Sequence, residues 1–255
     1  MFVESILAGR VALVTGASRG LGRHFAGLLA RHGAQVVGLA RDTGGLAALA
    51  AELAARGHAL TPLAADVRDG ASVERAIGEA IARAGRLDIV VNNAGIALTK
   101  PAKATSDDEW NAVIDTNLSG AFRVARSAAA AMEAQGRGGS IVNIASVLAR
   151  RVAKQLPAYI AAKAALVKLT EALALEWAPI GVRVNALAPG YIETDINRDF
   201  LASPAGQSIA KRVPQRRFGK PADLDGALLL LASDAGRYIT GTTIGVDGGH
   251  ALAWL

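Results

Sequence analysis

The chain has 255 residues, 51% of them hydrophobic, 20% charged and only 4% aromatic; that length suits one α/β domain with a core of Ala, Val, Leu and Ile better than two separate units. It contains no cysteine, which excludes disulfides, thiolate metal sites and cysteine nucleophiles and suits a reducing, cytoplasmic setting. A net charge of +6 raises nucleic acid as a partner, but the arginines are scattered, with short pairs only at Arg150-Arg151 and Arg216-Arg217, so they read as a basic solvated surface.

The opening, MFVESILAGRVALV, has no basic leader before an apolar stretch, and no signal peptide is expected. The longest stretch free of Asp, Glu, Lys and Arg runs from Gly138 to Ala149, too short to span a bilayer. Seven Val/Ile-rich runs read as strands: Val11–Thr15, Gln35–Ala40, Ala59–Ala65, Leu87–Val91, Ser140–Ala145, Arg183–Leu187 and Thr243–Val246. Between them lie Ala/Leu-rich stretches with charges at helical spacing, including Leu46–Arg56, Ser72–Ala84, Glu109–Gln135 and Ala158–Trp177. This alternation predicts a single doubly wound, parallel, seven-stranded Rossmann-like sheet with helices on both faces. One domain is expected over residues 1–255, with a cofactor half over about 10–120 and a catalytic and substrate half over about 121–255. Residues 195–220, with weaker periodicity and prolines at 204 and 214, read either as a helical flap over a site or as a surface excursion.

The first strand runs into Gly16-Ala17-Ser18-Arg19-Gly20-Leu21-Gly22 and then a helix. Glycines there allow a sharp turn and let a pyrophosphate rest on the helix N-terminus, whose free N–H groups and dipole favour anions. The spacing is G-x-x-x-G-x-G, not the commoner G-x-G-x-x-G. Asn92-Asn93-Ala94-Gly95 follows the fourth strand, and in an open α/β sheet the ends of strands one and four flank the ligand crevice. Asp66 ends the third strand, beside Val67, where its carboxylate can accept from an adenine amino group or simply make a turn. The second strand ends Leu39-Ala40-Arg41-Asp42. Ala40 stands where an acidic residue would hold an unphosphorylated ribose, while Arg41 and Arg19 can clamp a 2′-phosphate; the cofactor reading is therefore NADP(H). A one-residue shift would put Asp42 on the ribose instead.

Tyr159 and Lys163, four apart, share a helix face. Ser146 closes an apolar strand upstream, Asn117 lies in the predicted helix before that strand, and Pro189-Gly190-Tyr191-Ile192-Glu193-Thr194 follows the next strand. TGASRGLG, NNAG, Asn117, Ser146, YIAAK and PGYIET, in this order from about Arg10 to the VDGG at Val246–Gly249, resemble the classical short-chain dehydrogenase/reductases, nearest to bacterial 3-oxoacyl-(acyl carrier protein) reductases and related ketoreductases. The resemblance implies hydride transfer between NADP(H) and a small carbonyl or secondary alcohol. Tyr159 would be the proton donor, Lys163 would lower its pKa and bind ribose, Ser146 would hold the carbonyl oxygen, and Asn117 would hold a water on a proton path. Thr194 and the backbone at Ile192 would fix the carboxamide. The implied cofactor contacts are Gly16, Ser18, Arg19, Gly20, Leu21, Gly22, Arg41, Asp66, Val67, Asn93, Ala94, Gly95, Tyr159, Lys163, Pro189, Gly190, Ile192 and Thr194, with no metal.

Related enzymes also imply a homotetramer, and the apolar end Gly248–Leu255 suggests a tail packed on a partner or on its own chain. Three other readings compete. Extended-branch epimerases carry longer C-terminal regions than the 61 residues after Thr194; an NAD-dependent sugar or alcohol dehydrogenase would hold ribose through Asp42; a non-catalytic dinucleotide sensor would tend to lose the Tyr or the Lys. Pocket residues are expected from Val147–Leu156, Tyr191 and the 195–220 segment. Arg150 and Arg151 are expected in solvent rather than on an acidic substrate.

Overall fold

The structure is a computed structural model and describes residues 5–253. Its strands are β1 (Val11–Thr15), β2 (Gln35–Ala40), β3 (Leu60–Ala64), β4 (Ile89–Asn92), β5 (Gly139–Ile144), β6 (Val182–Pro189) and β7 (Thr243–Val246). They pair in parallel throughout, in the order β3-β2-β1-β4-β5-β6-β7. The helices are α1 (Gly20–Arg31), α2 (Thr43–Ala54), α3 (Gly70–Ala84), α4 (Asp107–Ile114), α5 (Gly120–Ala134), α6 (Pro157–Trp177), α7 (Arg198–Ala202), α8 (Pro204–Ala210) and α9 (Asp225–Ala232).

Side chains alternate across a strand, so a sheet covered on both faces needs apolar residues at every position. β1 shows the consequence. Ala12 and Val14 join Phe25 and Leu29 of α1, Leu46 and Leu49 of α2 and Leu228 of α9 in one core. Val11 and Leu13 join Val73 and Ile77 of α3, Val124 and Met132 of α5 and Leu173 of α6 in the other. The doubly wound architecture thus follows from the pattern of the strands.

Two of the expected elements differ. The stretch read as one helix over 109–135 is two helices, α4 and α5, joined by a π-turn at Asp115–Ser119. The segment over 195–220 forms α7 and α8, anchored by buried Leu201 and Val213. α9, for which no helix was read, is apolar all round (DGALLLLA), as suits a helix buried between the sheet and its neighbours.

A buried polar chain ties α6 to the sheet. Asn92 Nδ2 donates to Ala121 O (3.1 Å) and to Asn143 Oδ1 (2.9 Å); Asn143 Nδ2 donates to Thr170 Oγ1 (2.9 Å), and Thr170 donates to Leu166 O (2.8 Å). The chain crosses from β4 through β5 to α6, and Asn143 and Thr170 are fully buried. Thr170→Val keeps the shape but leaves the Asn143 amide without its acceptor, which costs about 1–3 kcal/mol. Urea denaturation should show that loss, with Thr170→Ser close to wild type; a Val variant as stable as wild type would remove this chain from the account.

Candidate active site

At the C-terminal ends of the central strands the sheet opens into a cavity of about 780 Å³. It runs from Arg19, Arg41 and Asp66 at one end, past the glycine turn, to Ser146, Tyr159 and Lys163 at the other. Of the residues singled out in the sequence, all but Gly20 and Gly22 line it. Gly20 faces a neighbouring cavity behind the turn. Gly22 packs beneath: a Cβ there would overlap the Gly16 carbonyl oxygen.

Thr15 clasps the turn to β4. Its hydroxyl accepts from the backbone N–H of Asn93 (3.0 Å) and of Ala94 (2.9 Å), while Asn93 Nδ2 donates to Thr15 O (3.0 Å). The Asn93 amide thus shapes the turn while Asn93 also lines the cavity. Arg19, the N-cap of α1, offers no side-chain cap. The first N–H groups of the helix are therefore left for an anion. The opening fits the dinucleotide implied by the sequence.

Four charged groups settle differently at the adenine end. Asp42 caps α2, its carboxylate accepting from Gly45 N (3.0 Å). Arg41 and Arg19 line the cavity and have no side-chain hydrogen bond or ion pair among the described residues. Asp66 lines the cavity as expected, and Arg68 orients its carboxylate, with Nη2 at 2.6 Å from Oδ2 and Nε at 3.1 Å from Oδ1, while the Arg68 N–H adds a bond at 3.0 Å. Hydrogen bonding from Arg68 holds the Asp66 pKa below the usual carboxylate range.

At the other end Lys163, 4% exposed, donates from Nζ to Ile144 O at 2.6 Å, and Nζ lies 5.7 Å from the centre of the Tyr159 ring. Burial without a counter-charge lowers its pKa from 10.5 to about 8. Burial of the phenol raises the Tyr159 pKa, Ser146 opposes the rise, and the Tyr191 phenol adds to it. The Ser146 hydroxyl also accepts from Leu148 N (3.1 Å), which fixes it at the end of β5.

Asn117 sits in the π-turn rather than in a continuous helix. Its Oδ1 accepts from Ile96 N (3.0 Å) and its Nδ2 donates to Ile96 O (2.7 Å). The amide thus serves as a backbone partner for the loop after β4, and the extra residue of the π-turn carries it there. Only glycine fits at position 95, where a Cβ would lie 2.5 Å from Asn117 Oδ1. Asn197 holds the next loop, accepting from Thr194 N (2.8 Å) and Thr194 Oγ1 (3.2 Å) and donating to Ile192 O (2.8 Å). Sequence reasoning missed Thr15, Asn197 and the Ile96-Ala97 wall. Their only signal was adjacency to the motifs.

Lys163 also makes stability depend on pH. Below about pH 8 the folded and unfolded chains both carry its proton, and the cost of burying the charge is present in full. Between about 8 and 10.5 the folded chain has released a proton that the unfolded chain still holds, so stability rises with pH across that window. Lys163→Met lacks the group. The stability of the Met variant relative to wild type should therefore fall from pH 7.5 to 10, by up to about 3 kcal/mol. A difference independent of pH would show that the ammonium is solvated.

Comparison with known proteins agrees with this arrangement. The family model described as enoyl-(acyl carrier protein) reductase matches residues 16–251. The chain is 42% identical over 241 residues to the 3-oxoacyl-(acyl carrier protein) reductase FabG of Escherichia coli, covering 94% of this chain and 97% of that protein. It is 38% identical over 246 residues to D-threitol dehydrogenase of Mycolicibacterium smegmatis, covering 96% and 94%. The crystal structure of gluconate 5-dehydrogenase from Burkholderia cenocepacia, in complex with NADP and tartrate, superposes with a TM-score of 0.93 at 40% identity, covering 98% of this chain and 99% of that one. The chain belongs to the short-chain dehydrogenase/reductase family of NAD(P)-dependent oxidoreductases.

Proposed function

We propose that this protein reduces a ketone to a secondary alcohol with NADP(H). The observation that carries the reading is the placement of the Tyr159 phenol beside Ser146, with Lys163 Nζ 5.7 Å from its ring centre, at one end of a crevice whose other end presents Arg19 and Arg41. The nicotinamide supplies hydride when bound. Tyr159 donates its proton to the carbonyl oxygen, and the Ser146 hydroxyl holds that oxygen as charge develops on it. Lys163 returns positive charge to the phenol and is placed to exchange its bond to Ile144 O for a ribose hydroxyl. Asn117 keeps the loop at Ile96 open beside Lys163, where a water can pass a proton inward. The N-terminus of α1 and the turn from Gly16 to Gly22 hold the pyrophosphate, and Ile192 and Thr194 hold the carboxamide.

NADP(H) is favoured over NAD(H) because Asp42 is engaged as a helix cap while both arginines are available to a 2′-phosphate. The same reading has one domain over residues 1–255 working as a homotetramer. Trp110 on α4, Phe122 on α5 and Leu175 on α6 are exposed, as a partner-covered face requires. The end of the tail, Trp254 and Leu255, lies outside the described residues.

Tyr159→Phe should lower kcat for NADPH-dependent ketone reduction by about 10²-fold or more and leave the NADPH Kd within a few-fold. Retention of a tenth of wild-type kcat would take Tyr159 out of the acid role. For cofactor choice, Arg41→Ala should raise KM for NADPH about 10- to 150-fold, the worth of a charge-assisted hydrogen bond, with little change for NADH. A wild-type enzyme that favours NADH would contradict the assignment.

A further inference from the structure

The substrate end of the crevice is apolar on nearly every side. Ile96 and Ala97 line one wall, Val147 and Leu148 the floor beyond Ser146, and Leu156 the opposite rim. Tyr191 supplies a phenol from the remaining side, its ring set 6.3 Å from Phe218 and 5.7 Å from His250 between ring centres.

Cations surround this mouth, yet those with partners are turned away from it. Lys100 Nζ is bound by both oxygens of Glu109 at 2.7 and 2.8 Å. Arg150 reaches Thr243 O at 3.4 Å, and Arg151 donates to His250 O at 2.6 Å and to Ala253 O. Arg151 thus pins the C-terminal segment and Arg150 stays exposed to solvent beside β7, so neither faces the substrate end of the cavity. Lys154, on the same loop, is exposed and does not line the cavity. The Asn197 amide is taken up by the 192–194 backbone and the Asn117 amide by Ile96. Among the described residues, the charged side chains that line the cavity are Lys163 and the four at the adenine end, Arg19, Arg41, Asp42 and Asp66.

We infer that the substrate is an uncharged ketone with an aliphatic arm, and that the site rejects keto acids and sugar acids. The inference rests on the ketone-reductase reading and narrows it. A carboxylate brought into this pocket would lose its hydration and meet no cation but Lys163, which lies buried beside the Tyr159 ring and is assigned to the ribose. An alkyl arm would exchange water for the aliphatic walls at a gain. The Tyr191 hydroxyl offers one hydrogen bond to a neutral ester, thioester or hydroxyl oxygen beside the ketone.

The test uses matched carbon skeletons. Ethyl 3-oxobutanoate and 3-oxobutanoate carry the same ketone beside a neutral ester and a carboxylate, and 5-ketogluconate adds a hydroxylated acid. With NADPH oxidation as the readout, kcat/KM for the ester should exceed that for either acid by about a hundredfold or more. Ala97→Arg, an exposed position on the rim, should shift the ester-to-acid ratio towards the acid by about tenfold, because it supplies the missing cation. Equal or better use of 3-oxobutanoate or 5-ketogluconate by wild type would overturn the inference while leaving the ketone-reductase reading intact. Failure of wild type to oxidise NADPH or NADH with any of the three would overturn both.

Discussion

The constraint on which the rest depends is a lysine ammonium shut away from water. Lys163 has one hydrogen-bond partner, the carbonyl of Ile144 at the end of β5, and an unpaired buried charge is among the costliest things a fold can keep. It is kept because α6 is held rigidly against the sheet. Pro157 starts that helix, Thr170, two turns beyond Lys163, takes the Asn143 amide, and Asn143 in turn receives the Asn92 amide from β4. The same arrangement brings Tyr159, one turn before Lys163, beside Ser146 on the neighbouring strand end. The catalytic geometry and the stability penalty therefore share one cause.

The crevice divides its charges between two tasks. At the adenine end acids are neutralised locally, Asp42 by a helix N-terminus and Asp66 by Arg68, and two arginines are left facing the cavity. At the substrate end the cations are tied to carbonyls or to Glu109, and what faces the cavity is aliphatic and phenolic. Such a division suits a phosphorylated cofactor reacting with a neutral partner. It also places the electrostatic work near the cofactor, where backbone N–H groups and arginines are already oriented. Relatives that carry the same framework are named for acyl thioesters, polyols and sugar acids, so the framework leaves the choice of substrate to the loops at the mouth.

Much of this was legible in the sequence because strands buried on both faces cannot hide. β1, β2 and β7 have the bounds their Val/Ile runs indicate, and the remaining strands differ from expectation at their ends. The motif residues also converge on the cavity, the glycine turn, Asn93, Ser146 and Thr194 from the ends of strands and Asn117, Tyr159 and Lys163 from helical segments packed beside them. What periodicity could not show were contacts made by one side chain to a distant backbone. The helix over 109–135 looked continuous because its charges keep helical spacing. The break comes from Asn117 reaching Ile96, twenty-one positions away in the chain. Nothing in a strand-end Asp announces that Arg68 folds back on Asp66. Arg150 is solvated as its sequence setting suggests, but Arg151 holds the carbonyl of His250, ninety-nine positions further along. α9 carries no polar face to mark it as a helix.

The central claim is that Lys163 stands buried beneath Tyr159 with its proton loosely held. The most direct measurement is an NMR titration of the lysine ε-carbons in the free enzyme, with Lys163→Met used to assign the resonance. One lysine should titrate near pH 8, well apart from the other lysines at 10 and above. A Lys163 resonance that titrates with the rest, above pH 10, would mean that water reaches the ammonium, and the account of the site built on its burial would fail.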